Sequence, residues 1–183
     1  KRKYKIIGVK NYSMHTHIEI GVGKYIEEKF SKAKSNILIS TPEISLTLSK
    51  KLITYLENEI NIKIILSEAA NNESKESINL LNKYQKENNH GILEIKVVDS
   101  KQAALIHAKI YIIDEKIAII GSANLTENSF YFLPEYIIIH DEIEVVKQIQ
   151  KNFFQIWKKY RNQSLQYTLK KKVSRLIKQF KNK

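Results

Sequence analysis

Cysteine is absent from the 183 residues of this chain. Disulfides, zinc–thiolate sites and thiol nucleophiles are therefore excluded, and the redox compartment is left open. Proline and glycine are sparse, at two and five, and no Pro/Gly/Ser-rich stretch marks a linker between domains. Long apolar runs are lacking as well: none approaches the ~20 residues that a membrane-spanning helix needs. The opening Lys1-Arg2-Lys3-Tyr4-Lys5 is basic but leads into no apolar stretch and no small-residue cleavage site. A cytoplasmic location is the default expectation. The chain opens on Lys1 rather than Met, which leaves room for a leader or tag already removed.

Acid is missing where base is concentrated. The net charge is +12, from 31 Lys and Arg against 19 Asp and Glu. Residues 1–10 carry five basic side chains and residues 158–183 carry ten, in both cases with no acid. The stretch between them is mildly acidic. Basic ends on such a core point to an anionic polymer or an anionic membrane as partner. Hydrophobic residues at 43% and charged residues at 27% give the balance of one soluble domain with a proper core.

Periodicity places the elements. Ile18, Val22, Tyr25, Ile26, Lys29 and Phe30 predict a helix over 18–34. Asn36–Ser40 reads as a buried strand, followed by a helix from Pro42, with Thr41 as its cap, to about Glu59. Ile62–Leu66 is the next strand, 69–75 a loop, and a helix follows through Tyr84, ended by Asn88-Asn89-His90-Gly91. Ile92–Val98 alternates as a strand. Leu105–Ile113 and Ile117–Ile120 are separated only by Asp114-Glu115-Lys116, too short for a crossover, so they form a hairpin. Tyr136–His140 is a further strand, and Asp141 caps a helix that reaches Trp157 and Tyr160. The expected fold is α/β: a mixed, mostly parallel sheet with helices on both faces.

The chemistry concentrates in the hairpin. In a strand, residues two apart share a face, which makes His107 and Lys109 neighbours while Ile106, Ala108, Ile110 and Ile112 line the other side. A lone strand histidine is usually structural, but a lysine beside it in an apolar strand is rare without a task. The return strand ends in Gly121-Ser122-Ala123-Asn124 at the same edge. Gly121 allows close backbone approach, and Ser122 and Asn124 supply hydrogen-bond donors. An imidazole, an ammonium and neutral donors converging on one point suit a tetrahedral anion. Tyr111, on the His107 face, fits either core or a base-stacking platform.

The spacing His107-x-Lys109-x4-Asp114-x6-Gly121-Ser122-x-Asn124 resembles the His-Lys-Asp signature of the phospholipase D superfamily, in its small single-motif nuclease type. The strand–helix alternation before it, Glu135 ahead of the last strand, and a closing helix with Phe153, Phe154 and Trp157 extend the resemblance over residues 18–160. The resemblance implies a catalytic domain at 18–160 and leaves both basic ends outside it: an extension at 1–17, and 161–183, which its heptad-like apolar spacing reads as a basic amphipathic helix or tail. It also implies a covalent phosphohistidine formed by His107, with a second histidine protonating the leaving alkoxide. One motif per chain then implies a homodimer. Lys109 would neutralise phosphate oxygens, Ser122 and Asn124 would donate to them, and Glu135 would orient the histidine ring through its other nitrogen. Asp114 would brace the backbone instead of touching substrate.

No cofactor and no metal is implied, since a two-metal site needs clustered acids and the acids near the motif are Asp99, Asp114, Glu115 and Glu135. His15 and His17 lack further ligands, and His90 and His140 read as caps or surface residues. A nuclease acting on DNA or RNA is the leading reading, its basic ends meeting backbone phosphates. Lys170, Lys171, Lys172, Arg175 and Lys178 are the candidate contacts. The alternatives are a lipid phosphodiesterase or phosphatidyltransferase with that helix on an anionic membrane, and a nucleic-acid-binding protein with a vestigial site. Docking of the Leu169/Val173/Leu176/Phe180 stripe on its own domain or on a dimer partner is favoured over either ligand-binding role for the helix.

Overall fold

The computed structural model describes residues 14–68, 71–87, 90–98 and 106–160; the basic terminal segments 1–13 and 161–183 lie outside the described residues, as do the candidate contacts Lys170 to Lys178. Strands β1 (Met14–Ile20), β2 (Asn36–Thr41), β3 (Asn61–Ser67), β4 (Leu93–Val98), β5 (Lys109–Ile113), β6 (Ile117–Gly121) and β7 (Pro134–His140) form one sheet in the order β1-β7-β6-β5-β2-β3-β4. Helices α1 (Gly23–Ser31), α2 (Leu46–Glu57) and α3 (Asn72–Glu87) pack on one face. A fourth, α4 over 143–160, packs on the other.

The sheet is mixed, but it is not mostly parallel. Only β2–β3 and β3–β4 run parallel; the other four pairs are antiparallel. Only α2 and α3 connect parallel strands, and a hairpin or short turn between neighbours can pair them only antiparallel. β2 and β3 sit in the middle under helices on both faces, which is why they read as nearly unbroken apolar runs. Val22, Ile26, Phe30, Leu48, Leu52 and Leu56 bury one helical layer against Ile37, Ile39, Ile62 and Ile64. Val146, Phe153, Trp157 and Tyr160 of α4 close the other face over Leu38, Ile65, Ile112 and Ala118.

Several boundaries differ from the periodicity reading; α3, for one, starts at Asn72 inside the stretch 69–75 read as a loop. The helix expected over 18–34 begins only at Gly23, because Met14–Ile20 pairs residue by residue with β7. Met14–His17, set in the N-terminal extension, are therefore part of the sheet. Gly21, at φ +83°, makes the turn out of it. Helix α2 starts at Leu46 and not at Pro42: Ser45 is its cap, its hydroxyl accepting from Leu48 N at 3.4 Å. Thr41 has a different task, donating to the Glu43 carbonyl at 2.9 Å and accepting from Leu125 N at 3.1 Å. Finally, α4 begins at 143, two residues after Asp141.

Candidate active site

Strand β5 begins at Lys109 and not at Leu105, so His107 precedes the strand. The ladder stops here because β2 pairs with β5 only as far as Ser40–Ile110 and then turns away at Pro42. Hydroxyls take over the backbone beyond it. Ser40 Oγ donates to the Ala108 carbonyl at 3.2 Å and Ser67 Oγ to the Ile106 carbonyl at 3.0 Å. His107 is thus held at the carboxyl ends of β2, β3 and β4, next to the point where the sheet changes from parallel to antiparallel. Open α/β sheets place ligands at such a switch point.

Lys109 bridges the gap left by the missing strand residues. Its ammonium lies 2.8 Å from His107 Nδ1 and 3.3 Å from Nε2, and donates to the His107 carbonyl at 2.8 Å. Lys109 is only 7% exposed while His107 is exposed. Burial pushes the lysine below its ordinary value of 10.5, against the opposing fields of Glu135 and Glu43. A charge held with so little water around it acts strongly on an arriving anion.

Across the hairpin, Lys109 pairs with Gly121, and β6 delivers Ser122, Ala123 and Asn124 to the same edge. A Cβ at Gly121 would collide with the Tyr136 carbonyl oxygen, so close β6–β7 approach requires glycine. Ser122 Oγ donates to Glu135 and accepts from Tyr136 N at 3.0 Å. Its proton is committed to that carboxylate, and Ser122 holds Glu135 instead of presenting a spare donor. Glu135 makes no hydrogen bond to His107 among the described residues; Lys109 occupies the ring nitrogen that Glu135 was expected to orient. Asn124 Nδ2 donates to Glu43 Oε2 at 3.4 Å, and its Oδ1 is buried without a partner.

Glu43 is the residue that sequence reasoning missed. It follows the carboxyl end of β2, and the switch-point rule is the signal that flags that loop. Tyr111 is core: it is 1% exposed, its hydroxyl donates to the Ala123 carbonyl at 2.8 Å, and burial pushes its phenol up. Asp114 sits at the far end of β5, away from the cluster. His17 stacks on Tyr25 at 3.6 Å, and among the described residues no group of three or more His, Asp or Glu could hold a metal ion.

The geometry is that of a small anion site: one exposed imidazole, one buried ammonium, one amide and flanking carboxylates. Comparison with known proteins agrees. The family model described as cardiolipin synthase, PLD-like domain matches residues 26–157. A search of curated proteins finds no match. Among solved structures, NucT from Helicobacter pylori superposes with a TM-score of 0.66 at 18% identity, over 81% of this chain and 97% of that one. Nuc from Salmonella typhimurium, a phospholipase D family member, gives 0.63 at 17% identity over 80% and 94%. Phosphatidylserine synthase from Haemophilus influenzae gives 0.54 at 16% identity over 78% of this chain but 38% of that one. The likenesses show the fold and the matching family model shows the lineage: this chain belongs to the phospholipase D-like superfamily of phosphodiesterase-type enzymes.

Proposed function

We propose that the chain is a metal-independent nuclease that cleaves phosphodiester bonds through a covalent phosphohistidine on His107, acting as a homodimer. The observation that carries this reading is the buried Lys109 ammonium 2.8 Å from the exposed imidazole of His107. An incoming phosphate would draw Lys109 from the ring to its own oxygens. Nδ1 could then carry the proton and leave Nε2 free to attack phosphorus. The P–O ester bond breaks, and an imidazolium from the second subunit gives its proton to the leaving oxygen. That imidazole then takes a proton from water, which attacks the phosphohistidine and releases His107.

The need for a second imidazole gives the homodimer its motive, and a sheet face left uncovered by the described residues supports it. Helix α4 covers the face at β2, β3 and β5 but not at β7 and β1. Met14, Ile18, Ile20 and Tyr136 lie exposed there, with Ile18 at 77%. Tyr136 accepts from Ser122 N at 2.9 Å, so the patch runs up to the site. A second copy on this face would cover the apolar surface and bring two sites together. Nucleic acid is favoured as substrate by the basic ends and by the near-complete coverage of NucT and Nuc, against 38% of the phosphatidylserine synthase.

An activity panel tests the reading: plasmid DNA, single strands, RNA and phosphatidylcholine, each with and without EDTA. Cleavage of nucleic acid that persists in EDTA is the expected result. Turnover of the lipid alone would replace the nuclease with the phosphatidyltransfer reading.

A further inference from the structure

We infer that Glu43 is a positioning residue of the site: its carboxylate takes one N–H of the Asn124 amide and so holds the other ready for a phosphate at Lys109. The inference rests on the phosphodiesterase reading above and adds to it a group from outside the motif. Glu43 is delivered by the loop between β2 and α2, and that loop is stitched to the segment after β6. Thr41 is fully buried. Its hydroxyl donates to the Glu43 carbonyl at 2.9 Å and accepts from Leu125 N at 3.1 Å. Ile44 and Leu125 form a parallel bridge, and Ser45 N donates to the Leu125 carbonyl at 3.1 Å. Glu127 N donates to Ser45 Oγ at 3.2 Å. Glu43 and Asn124 thus each neighbour a residue of this seam, and the backbone on both sides brings them together.

The pairing has a fixed sense. Asn124 Nδ2 donates to Glu43 Oε2 at 3.4 Å. An amide nitrogen carries two donors and its oxygen none, while an ionised carboxylate only accepts. Glu43 therefore takes the nitrogen end and rejects the oxygen. Oδ1 stays buried without a partner, and reversing the amide would not relieve that cost, since it would set oxygen against oxygen. The second N–H of Nδ2 meets no acceptor among the described residues. Lys109 feels the Glu43 carboxylate too, after that of Glu135. Ammonium and amide thus share Glu43 as a neighbour. An amide held in one orientation before the anion arrives is a preorganised donor, which needs no reorganisation at the moment of reaction.

Calorimetry with inorganic phosphate and turnover of bis(p-nitrophenyl) phosphate test this on the full chain, each per folded molecule. A carboxylate that only stood beside the site would repel phosphate, and Glu43→Gln would tighten binding. The positioning role predicts the reverse. Asn124→Ala and Glu43→Gln should each weaken phosphate binding and lower kcat/KM by about ten-fold or more, the worth of a hydrogen bond to a charged group. Glu43→Ala, which removes the acceptor altogether, should do the same. Combining Glu43→Gln with Asn124→Ala should leave both quantities within about two-fold of Asn124→Ala alone. In Glu43→Gln the alkaline limb of the rate should also move to lower pH. Lys109 is faced by His107, Glu135 and Glu43, and it loses one of its two carboxylate fields. A role in the fold alone would leave that limb in place. Unchanged or tighter phosphate binding by Glu43→Gln, or losses that multiply in the double variant, would overturn the proposal while hydrolysis stands. No hydrolysis by the unmodified protein, with the phosphate-binding losses still coupled, would sink the phosphodiesterase reading and leave Glu43 in its role. Neither hydrolysis nor phosphate binding would remove both.

Discussion

At Lys109, burial and function pull against each other. Burial lowers its affinity for a proton, while the fields of Glu135 and Glu43 only partly offset this. Its folded-state value lies below the unfolded one, so the cost of a buried ammonium is present at neutral pH. That cost is relieved as pH rises through the folded-state value. Two outcomes follow. The rate should fall on the alkaline side with a midpoint below 10.5, and Lys109→Arg should push that limb upward; a pH–rate profile checks both. Lys109→Met should cost little stability in urea titration while slowing cleavage by at least ~10²-fold. His107 is exposed, so His107→Ala should leave both fold and nucleic-acid binding nearly intact. Its cleavage rate should drop by at least ~10²-fold, measured alongside binding by filter retention. The pair itself was legible in sequence from its spacing. Glu43 was not, because it reaches the site through a loop nearly seventy positions away in the chain.

At the scale of elements, the β5–β6 hairpin shows how the site is held. Asp114 and Glu115 take φ of +51° and +57°, a left-handed pair without glycine. Asp114 offsets the strain by gripping the turn before β2. Its carboxylate accepts from Lys34 N at 2.7 Å, Ser35 N at 2.8 Å, Ser35 Oγ at 2.9 Å and Asn36 N at 3.0 Å. Burial alone would raise its proton affinity; these bonds outweigh it and hold the carboxyl below its ordinary 3.8. The contribution is full above that value and is lost as pH falls through the folded-state one. Asp114→Ala should therefore cost about 1.5–3 kcal/mol at neutral pH, with the deficit shrinking in acid, while activity per folded molecule stays close to normal. At the other end, Gly121→Ala should damage stability and rate together, since β6 must move away from β7 and Gly121 pairs with Lys109. Comparing melting temperature with the rate per folded molecule checks this contrast. The helical run read over 18–34 failed for a related reason: Ile18, Val22 and Ile26 fit a helix, but Ile18 and Ile20 also fit a strand. The partner that decides, β7, is more than a hundred residues away.

At the scale of the whole molecule, the face left uncovered by the described residues and the single motif histidine of each chain lead to the same assembly. The parallel half of the sheet was legible from strand–helix alternation. Of the antiparallel half only the β5–β6 hairpin was; the order of β1, β7 and β2 around it was not, because it is set by long-range pairing. Ile18 is 77% exposed in one chain, so Ile18→Glu should leave the subunit folded. In a homodimer built on this face it should give monomers by sedimentation and lose turnover together with dimer. A variant that stays dimeric and active would remove β1 and β7 from the interface. The central claim is the covalent step at His107, and trapping tests it most directly. Brief incubation with labelled substrate in EDTA, followed by a denaturing quench, should leave acid-labile label on the peptide containing His107 and none in His107→Ala. Cleavage that stops in EDTA, returns only with added divalent metal and never labels His107 would contradict it.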